Sequence, residues 1–158
     1  MAKEPKTLDI LFHEHKIVAT LPKMNEAAQS KQLKDAFIKH LAETKVHVER
    51  LEEVFKIIGK KPEQKTCEAM MGIVKEGSEI MEEYAGTPAL DAGLLAAAQA
   101  VEHYEMSRYG TLRTWALELG MKDAAKLLQT TLDEEQATDI ALTSIATKVV
   151  NQNAEKAA

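Results

Sequence analysis

Glu135 and Asp139 interrupt a row that is otherwise apolar. Leu128, Leu132, Glu135, Asp139, Leu142, Ala146 and Val149 recur every three or four positions. That alternation puts all seven on one face of a helix. A second row, Leu94, Ala98, Val101, Glu105, Tyr109 and Leu112, again carries an acid at its middle, with Glu102 one turn earlier on an adjoining line. A third reads Leu11, Glu14, Val18, Leu21. In the remaining long segment the strip Ala36, His40, Glu43, His47, Arg50, Val54 borders the apolar row Phe37, Leu41, Val48, Leu51, Phe55, Ile58. Each of four helices therefore brings at least one acid on or beside its inward face. A carboxylate in an apolar core is costly unless it is paired or bound to metal, and several together repel. A shared cation resolves the conflict. Hard carboxylate oxygens with one imidazole suit iron, manganese or a similar divalent ion.

The spacings suggest one cluster. Glu14 to Glu43 is 29 positions and Glu105 to Glu135 is 30; Glu43 to His47 and Glu135 to Asp139 are each 4. The chain thus reads as two similar hairpins, each with a lone acid on its first helix and an acid-x-x-x-ligand pair on its second. Packed with pseudo-twofold symmetry, they would surround two metal positions. Every position also has an ordinary reading. Glu14 or Glu102 alone is first a solvated helix residue, and His47 alone is first a core-edge histidine. His13, His15, His40 and His103 read as structural or exposed. Arg50 either offsets surplus negative charge or pairs with a surface acid. Tyr104, Tyr109 and Trp115 read as packing residues, with Tyr109 also placed within reach of the metals. Cys67 and the methionines read as core filler.

The elements that would position these groups are four long helices and one short one. The first spans about Thr7 to Ala28, with Thr7 as N-cap and a kink or early end expected near Leu21 because Pro22 lies inside it. Ser30 to Ile58 forms the second and stops at Gly59. A connection of about 30 residues follows, carrying a short amphipathic helix from Cys67 to about Tyr84. The third long helix spans Ala89 to Leu119 and the fourth Lys122 to Val150, with residues 151–158 expected to fray. Short links make two antiparallel hairpins, and the long link can recross the bundle. The expectation is an all-α, single-domain, ferritin-like four-helix bundle with one long crossover.

Composition agrees and narrows the function. The 158 residues include 25 acids against 20 Lys and Arg, a net charge of -5, with 4% aromatics. Few β-formers argue against sheet folds, and the acidic balance against nucleic-acid binding. The absence of an apolar leader and of any 18-residue apolar window implies a cytoplasmic protein that does not enter membranes. One cysteine excludes a disulfide framework within the chain.

These residues resemble the YciE/YciF group of ferritin-like, rubrerythrin-related stress-response proteins. The resemblance rests on Glu14 with Leu21 to Met24, on His40 to Thr44 followed by Val48 to Glu52, and on Lys65 to Met70. It also rests on Glu102 to Glu105 with Tyr109 to Leu112, and on Leu132 to Glu135 with Asp139. The resemblance implies a homodimer with a dinuclear centre of two divalent ions, iron first, with manganese or zinc as alternatives. By position, its ligands are Glu14, Glu43, His47, Glu102, Glu105, Glu135 and Asp139. The Glu-x-x-His pairs usual in ferritin-like proteins are absent at both expected places. With only Cys67 there is no rubredoxin-like module, so any electron donor is external and unidentified. Two functions compete: oxidoreductase chemistry on O2 or peroxide at such a centre, and a non-enzymatic, stress-induced structural or binding role with a structural or vestigial ion. A cage-forming storage protein is a third option.

Overall fold

The computed structural model describes residues 9–62 and 65–156. Thr7 lies outside them. Helices α1 (Ile10–Ala27), α2 (Lys31–Ile57), α3 (Glu68–Glu83), α4 (Leu90–Glu118) and α5 (Lys122–Ile145) follow one another, with no strand among the described residues. After α5 the chain widens into a π-helical stretch, Ala146–Val150, and continues as α6, Asn151–Lys156. The expected frayed tail is therefore helical through Lys156, although α6 buries no residue. Pro22 does not end α1, which runs on to Ala27. The proline is exposed, so it sits on the side where water can replace the backbone donor it lacks.

Local sequence sets the helix ends. Ser30 caps α2 by accepting a hydrogen bond from the Leu33 backbone N–H at 3.3 Å. Gly59 and Gly120 close α2 and α4 with φ of 69° and 73°. Around Gly120 the Met121 N–H reaches the Ala116 carbonyl at 2.8 Å and the Gly120 N–H reaches Leu117 at 2.9 Å, the two bonds of a Schellman cap. A side chain at this left-handed position strains the backbone. Gly120→Ala is therefore expected to destabilise the fold by about 1 kcal/mol, roughly 2–4 °C in Tm, with unchanged metal content. A calorimetric melt checks it.

Asp91 fixes the direction of the second hairpin. Its carboxylate accepts from the backbone N–H groups of Gln29 at 2.7 Å and Ser30 at 2.6 Å. The start of α4 therefore lies at the turn between α1 and α2, so α4 runs parallel to α2 and antiparallel to α1. The short turn at Gly120 sends α5 back along α2, while α3 packs against α4 and α1. This is the crossover bundle expected of a ferritin-like chain. Asp91→Ala would leave two backbone donors without their carboxylate. The expected loss is about 2–4 kcal/mol in chemical denaturation.

The core is divided. Toward the Asp91 end, Ile17, Leu21, Leu33, Phe37, Leu94 and Leu142 belong to one apolar cluster. Toward the Gly120 end, Ile10, Leu51, Phe55, Ala124 and Leu128 belong to another. Along every long helix, the positions between the two clusters hold buried polar groups.

Candidate metal centre

Four stripes converge on that middle layer. On α1 the buried stripe is Ile10, Glu14, Ile17, Leu21, Met24; on α2 it is Leu33, Phe37, His40, Thr44, His47, Leu51, Val54. On α4 it passes through Leu94, Ala98, Glu102, Glu105 and Tyr109, and on α5 through Leu128, Thr131, Glu135, Thr138 and Leu142. All advance by the three- and four-residue steps of one helix face. Glu14, His47, Glu105 and Glu135 are 0% exposed and Glu102 is 1%.

Glu135 is the hub. Its Oε1 lies 3.0 Å from His47 Nδ1, which is also 3.6 Å from Glu14 Oε1. Its Oε2 lies 3.9 Å from His40 Nε2, which is 3.0 Å from Glu102 Oε1. Two ligand trios result, Glu14–His47–Glu135 and His40–Glu102–Glu135, each with its ligand atoms within 4.8 Å of one another. Glu105 feels the charges of Glu14, Glu135 and Glu102, and both its carboxylate oxygens are buried and without hydrogen bonds.

The outer shell holds the ligands in place. The far nitrogen of His47, Nε2, is 2.8 Å from Glu134 Oε2, and Arg50 grips the same carboxylate at 2.8 and 3.3 Å. Arg50 also donates to Thr131 Oγ1 at 2.7 Å. A carboxylate on the outer nitrogen leaves Nδ1 to face the centre, as is usual for metal-binding histidines. The far nitrogen of His40, Nδ1, faces Thr138 Oγ1 at 3.5 Å and Glu43 Oε2 at 4.0 Å. The Tyr109 hydroxyl donates to Glu14 Oε1.

The electrostatics are those of a cluster short of positive charge. Burial pushes Glu102 and Glu135 up to about 7 and raises Glu14. Glu105 is raised well above the carboxylate range by burial and by the charges of Glu14, Glu135 and Glu102. Burial alone would lower His47, but the adjacent carboxylates of Glu135 and Glu14 outweigh it and hold the imidazole at about 10. Burial also pushes Glu134 up, but hydrogen bonding to Arg50 and His47 prevails and keeps it ionised below the usual range. Tyr109 is raised well above its ordinary value, first by burial, and so remains a neutral donor.

The donor set fits two hard divalent ions. Glu14 Oε2, Glu102 Oε2, both oxygens of Glu105 and of Glu135, His40 Nε2 and His47 Nδ1 are buried without a hydrogen-bond partner. Buried polar atoms are ordinarily satisfied, so eight such atoms in one layer mark it as a candidate cation site. Four ionised carboxylates would balance two divalent ions.

Five of the seven residues expected from sequence are thus brought together: Glu14, His47, Glu102, Glu105 and Glu135. Two stand apart. Asp139 turns toward α4, where its Oδ1 is 2.9 Å from Gln99 Nε2 and 3.2 Å from His103 Nε2; Thr138 takes the buried position on α5. Glu43 sits at the rim, with Oε1 drawn to Lys39 Nζ at 2.8 Å. His40, read as structural or exposed, is buried at the centre as a second imidazole. The missed signal was the unbroken step pattern Leu33, Phe37, His40, Thr44, His47, Leu51, Val54. The groups also do not divide into two like hairpins, because α2 supplies both imidazoles and α4 two of the acids.

Known proteins share this architecture. Residues 7–155 match the family described as a domain of unknown function, DUF892. The chain is similar to Protein YciF of Escherichia coli strain K12, with 43% identity over 151 residues, 95% of this chain and 91% of that protein. The crystal structure of the E. coli stress protein YciF superposes with a TM-score of 0.87 at 42% identity over 92% of each chain. A Rhodopseudomonas palustris protein, YcfI, described as a candidate structural protein, superposes with a TM-score of 0.86 at 41% identity, over 92% of this chain and 99% of that one.

Proposed function

The chain belongs to the DUF892 family, and from that premise we propose that it is a dinuclear-metal protein of stress physiology, holding iron between its two hairpins for chemistry with O2 or peroxide. The observation that carries this reading is the layer of buried carboxylate oxygens and imidazole nitrogens, drawn from four helices, that make no hydrogen bond. Glu14 with His47, and Glu102 with His40, would each hold one ion. Glu135 would bridge the two, and Glu105 would complete the charge balance. A pair of iron ions supplies redox chemistry with small oxidants. The chain's own part is to bring the ligands together in one buried layer, to keep water out with the two apolar clusters, and to place the neutral Tyr109 hydroxyl on Glu14, where it can deliver or retain a proton. Two imidazoles make the donor set less oxygen-rich than the sequence suggested. Manganese and zinc are the alternative occupants, and a cytoplasmic homodimer with an external electron donor belongs to the same proposal.

The test is metal analysis of protein expressed with iron supplied, followed by O2 and H2O2 consumption by the reduced protein. About two equivalents of iron per chain with oxidant consumption supports the reading. A second reading, a non-enzymatic structural protein, draws on the description given to the Rhodopseudomonas palustris relative. It prevails if metal raises Tm and no oxidant is consumed. Stabilisation alone decides nothing, because any ion bound to the folded state stabilises it by mass action.

A further inference from the structure

A different group of ligand-type side chains lies where the crossover meets α1. Asp9, His13 and Cys67 offer one carboxylate oxygen, one ring nitrogen and one sulfur within 4.8 Å of one another, and all three residues are buried. Asp9 immediately precedes α1 and His13 follows by four positions, so one helix face carries both. Cys67 immediately precedes α3. None of the three belongs to the layer centred on Glu135.

The second observation is the state of His13. It is 0% exposed, and neither ring nitrogen makes a hydrogen bond. Asp9 Oδ1 is likewise buried without a hydrogen bond; it stands 3.5 Å from His13 Nε2. That separation is long for a hydrogen bond. It is close to the distance between two ligands of a tetrahedral zinc ion, about 3.4 Å when both bonds are about 2.0–2.2 Å. A buried imidazole with two unpartnered nitrogens, beside a buried carboxylate oxygen in the same condition, calls for a cation.

A hydroxyl stands beside the sulfur. Cys67 Sγ lies 3.2 Å from the Tyr104 hydroxyl, which accepts a hydrogen bond from Arg108 Nη2 at 2.6 Å. With its oxygen occupied as acceptor, the Tyr104 hydroxyl is free to donate its proton toward sulfur, the usual outer support of a metal-bound thiolate. We propose that Asp9, His13 and Cys67 form a second, mononuclear metal site for a zinc-class ion, separate from the carboxylate layer and tying the start of α3 to the start of α1. Nitrogen, sulfur and oxygen together suit a borderline-soft ion better than the hard-ion layer does. Binding releases the thiol proton to solvent, and the bound thiolate and carboxylate balance the two positive charges.

Cobalt(II), a spectroscopic stand-in for zinc, tests this on the metal-stripped full-length protein. Cys67 is the sole cysteine of the chain, so any thiolate-to-cobalt charge-transfer absorption reports this site. The band is expected to appear and saturate as cobalt is added, to vanish when zinc displaces cobalt, and to persist in Glu135→Gln. Cys67→Ser should abolish it. Asp9→Asn and His13→Gln should each weaken the cobalt affinity read from the band by about tenfold or more. Circular dichroism confirms that each variant is folded. If His13→Gln does not fold, Asp9→Asn decides, since it alters only the residue before α1. Absence of the band from folded wild-type protein overturns the proposal. Unchanged affinity in the Asp9 variant, or loss of the band in Glu135→Gln, overturns it equally. None of these three results decides whether iron occupies the carboxylate layer.

Discussion

Glu135→Gln is expected to lower the affinity for the dinuclear ions by about 100-fold or more and, at pH 8, to make the metal-free protein more stable. The two effects have opposite signs because one side chain serves two states. With metal, Glu135 alone reaches toward both imidazoles, and its removal strips a ligand from each trio. Loss of even an outer-shell group costs about 10- to 100-fold in affinity, so a shared inner ligand should cost at least as much. Without metal, the same carboxylate is an anion buried among anions, and its acid is held at about 7. A glutamine of similar shape removes that charge and should gain roughly 1–3 kcal/mol. Inductively coupled plasma analysis and paired melts with and without chelator read both effects. A variant that binds metal like the wild type would refute the bridging role. A variant that loses metal and also melts lower when metal-free would mean that Glu135 is a structural partner of His47 instead.

The stability of the metal-free protein is expected to fall as pH rises from about 5 to 9, and saturating metal should reverse that trend. Glu102 and Glu135 have folded pKa values of about 7, above the ordinary carboxylate value of 4.5. Their contribution to stability is complete below pH 4.5 and is lost as pH climbs through 7, because the folded state holds protons that the unfolded state has released. His47, held at about 10 against an ordinary 6.5, contributes stability below pH 6.5 that disappears between there and 10. His13 acts the other way. Burial lowers it to about 4, so its contribution is lost as pH falls from 6.5 toward 4. Two carboxylates against one imidazole leave a net fall with rising pH even in that acid window. Metal inverts the slope because its ligands must be deprotonated. Tm measured across pH 5–9 in chelator and in excess Mn(II) should therefore give two curves that lie close together near pH 5 and diverge as pH rises, with the metal curve above. Parallel curves would contradict a carboxylate-bound ion.

The helices were readable from sequence because their signals are local. Gly59, Ser30 and Gly120 mark ends by caps that depend on neighbours alone. The crossover followed from connection lengths. Pro22 misled because its effect depends on whether water can reach the gap it leaves, and that is settled by packing. The centre was legible in so far as an acid in an apolar stripe is visible in one dimension. Glu14, Glu105 and Glu135 interrupt such stripes, and Glu102 lies a turn from Glu105. Asp139 showed the same pattern and still points elsewhere. On α5 the third and fourth positions after Glu135 both lie near the inward face, and Gln99 and His103, some forty residues away, draw the aspartate outward. His40 was missed for the converse reason. The apolar residues Leu41 and Val48 suggest one face, while the buried face of α2 passes through Thr44, whose hydroxyl bonds back to the His40 carbonyl at 2.7 Å and so tolerates burial.

The two apolar clusters on either side of the carboxylate layer make the bundle resemble two small hydrophobic nuclei joined by an ionisable disc. Hydrocarbon contact, which elsewhere couples one end of a domain to the other, is thinned across this disc. Mechanical continuity there falls to side chains whose charge depends on what they have bound. The degree to which the molecule melts as one unit or as two is thus itself a property of the disc's occupancy and protonation.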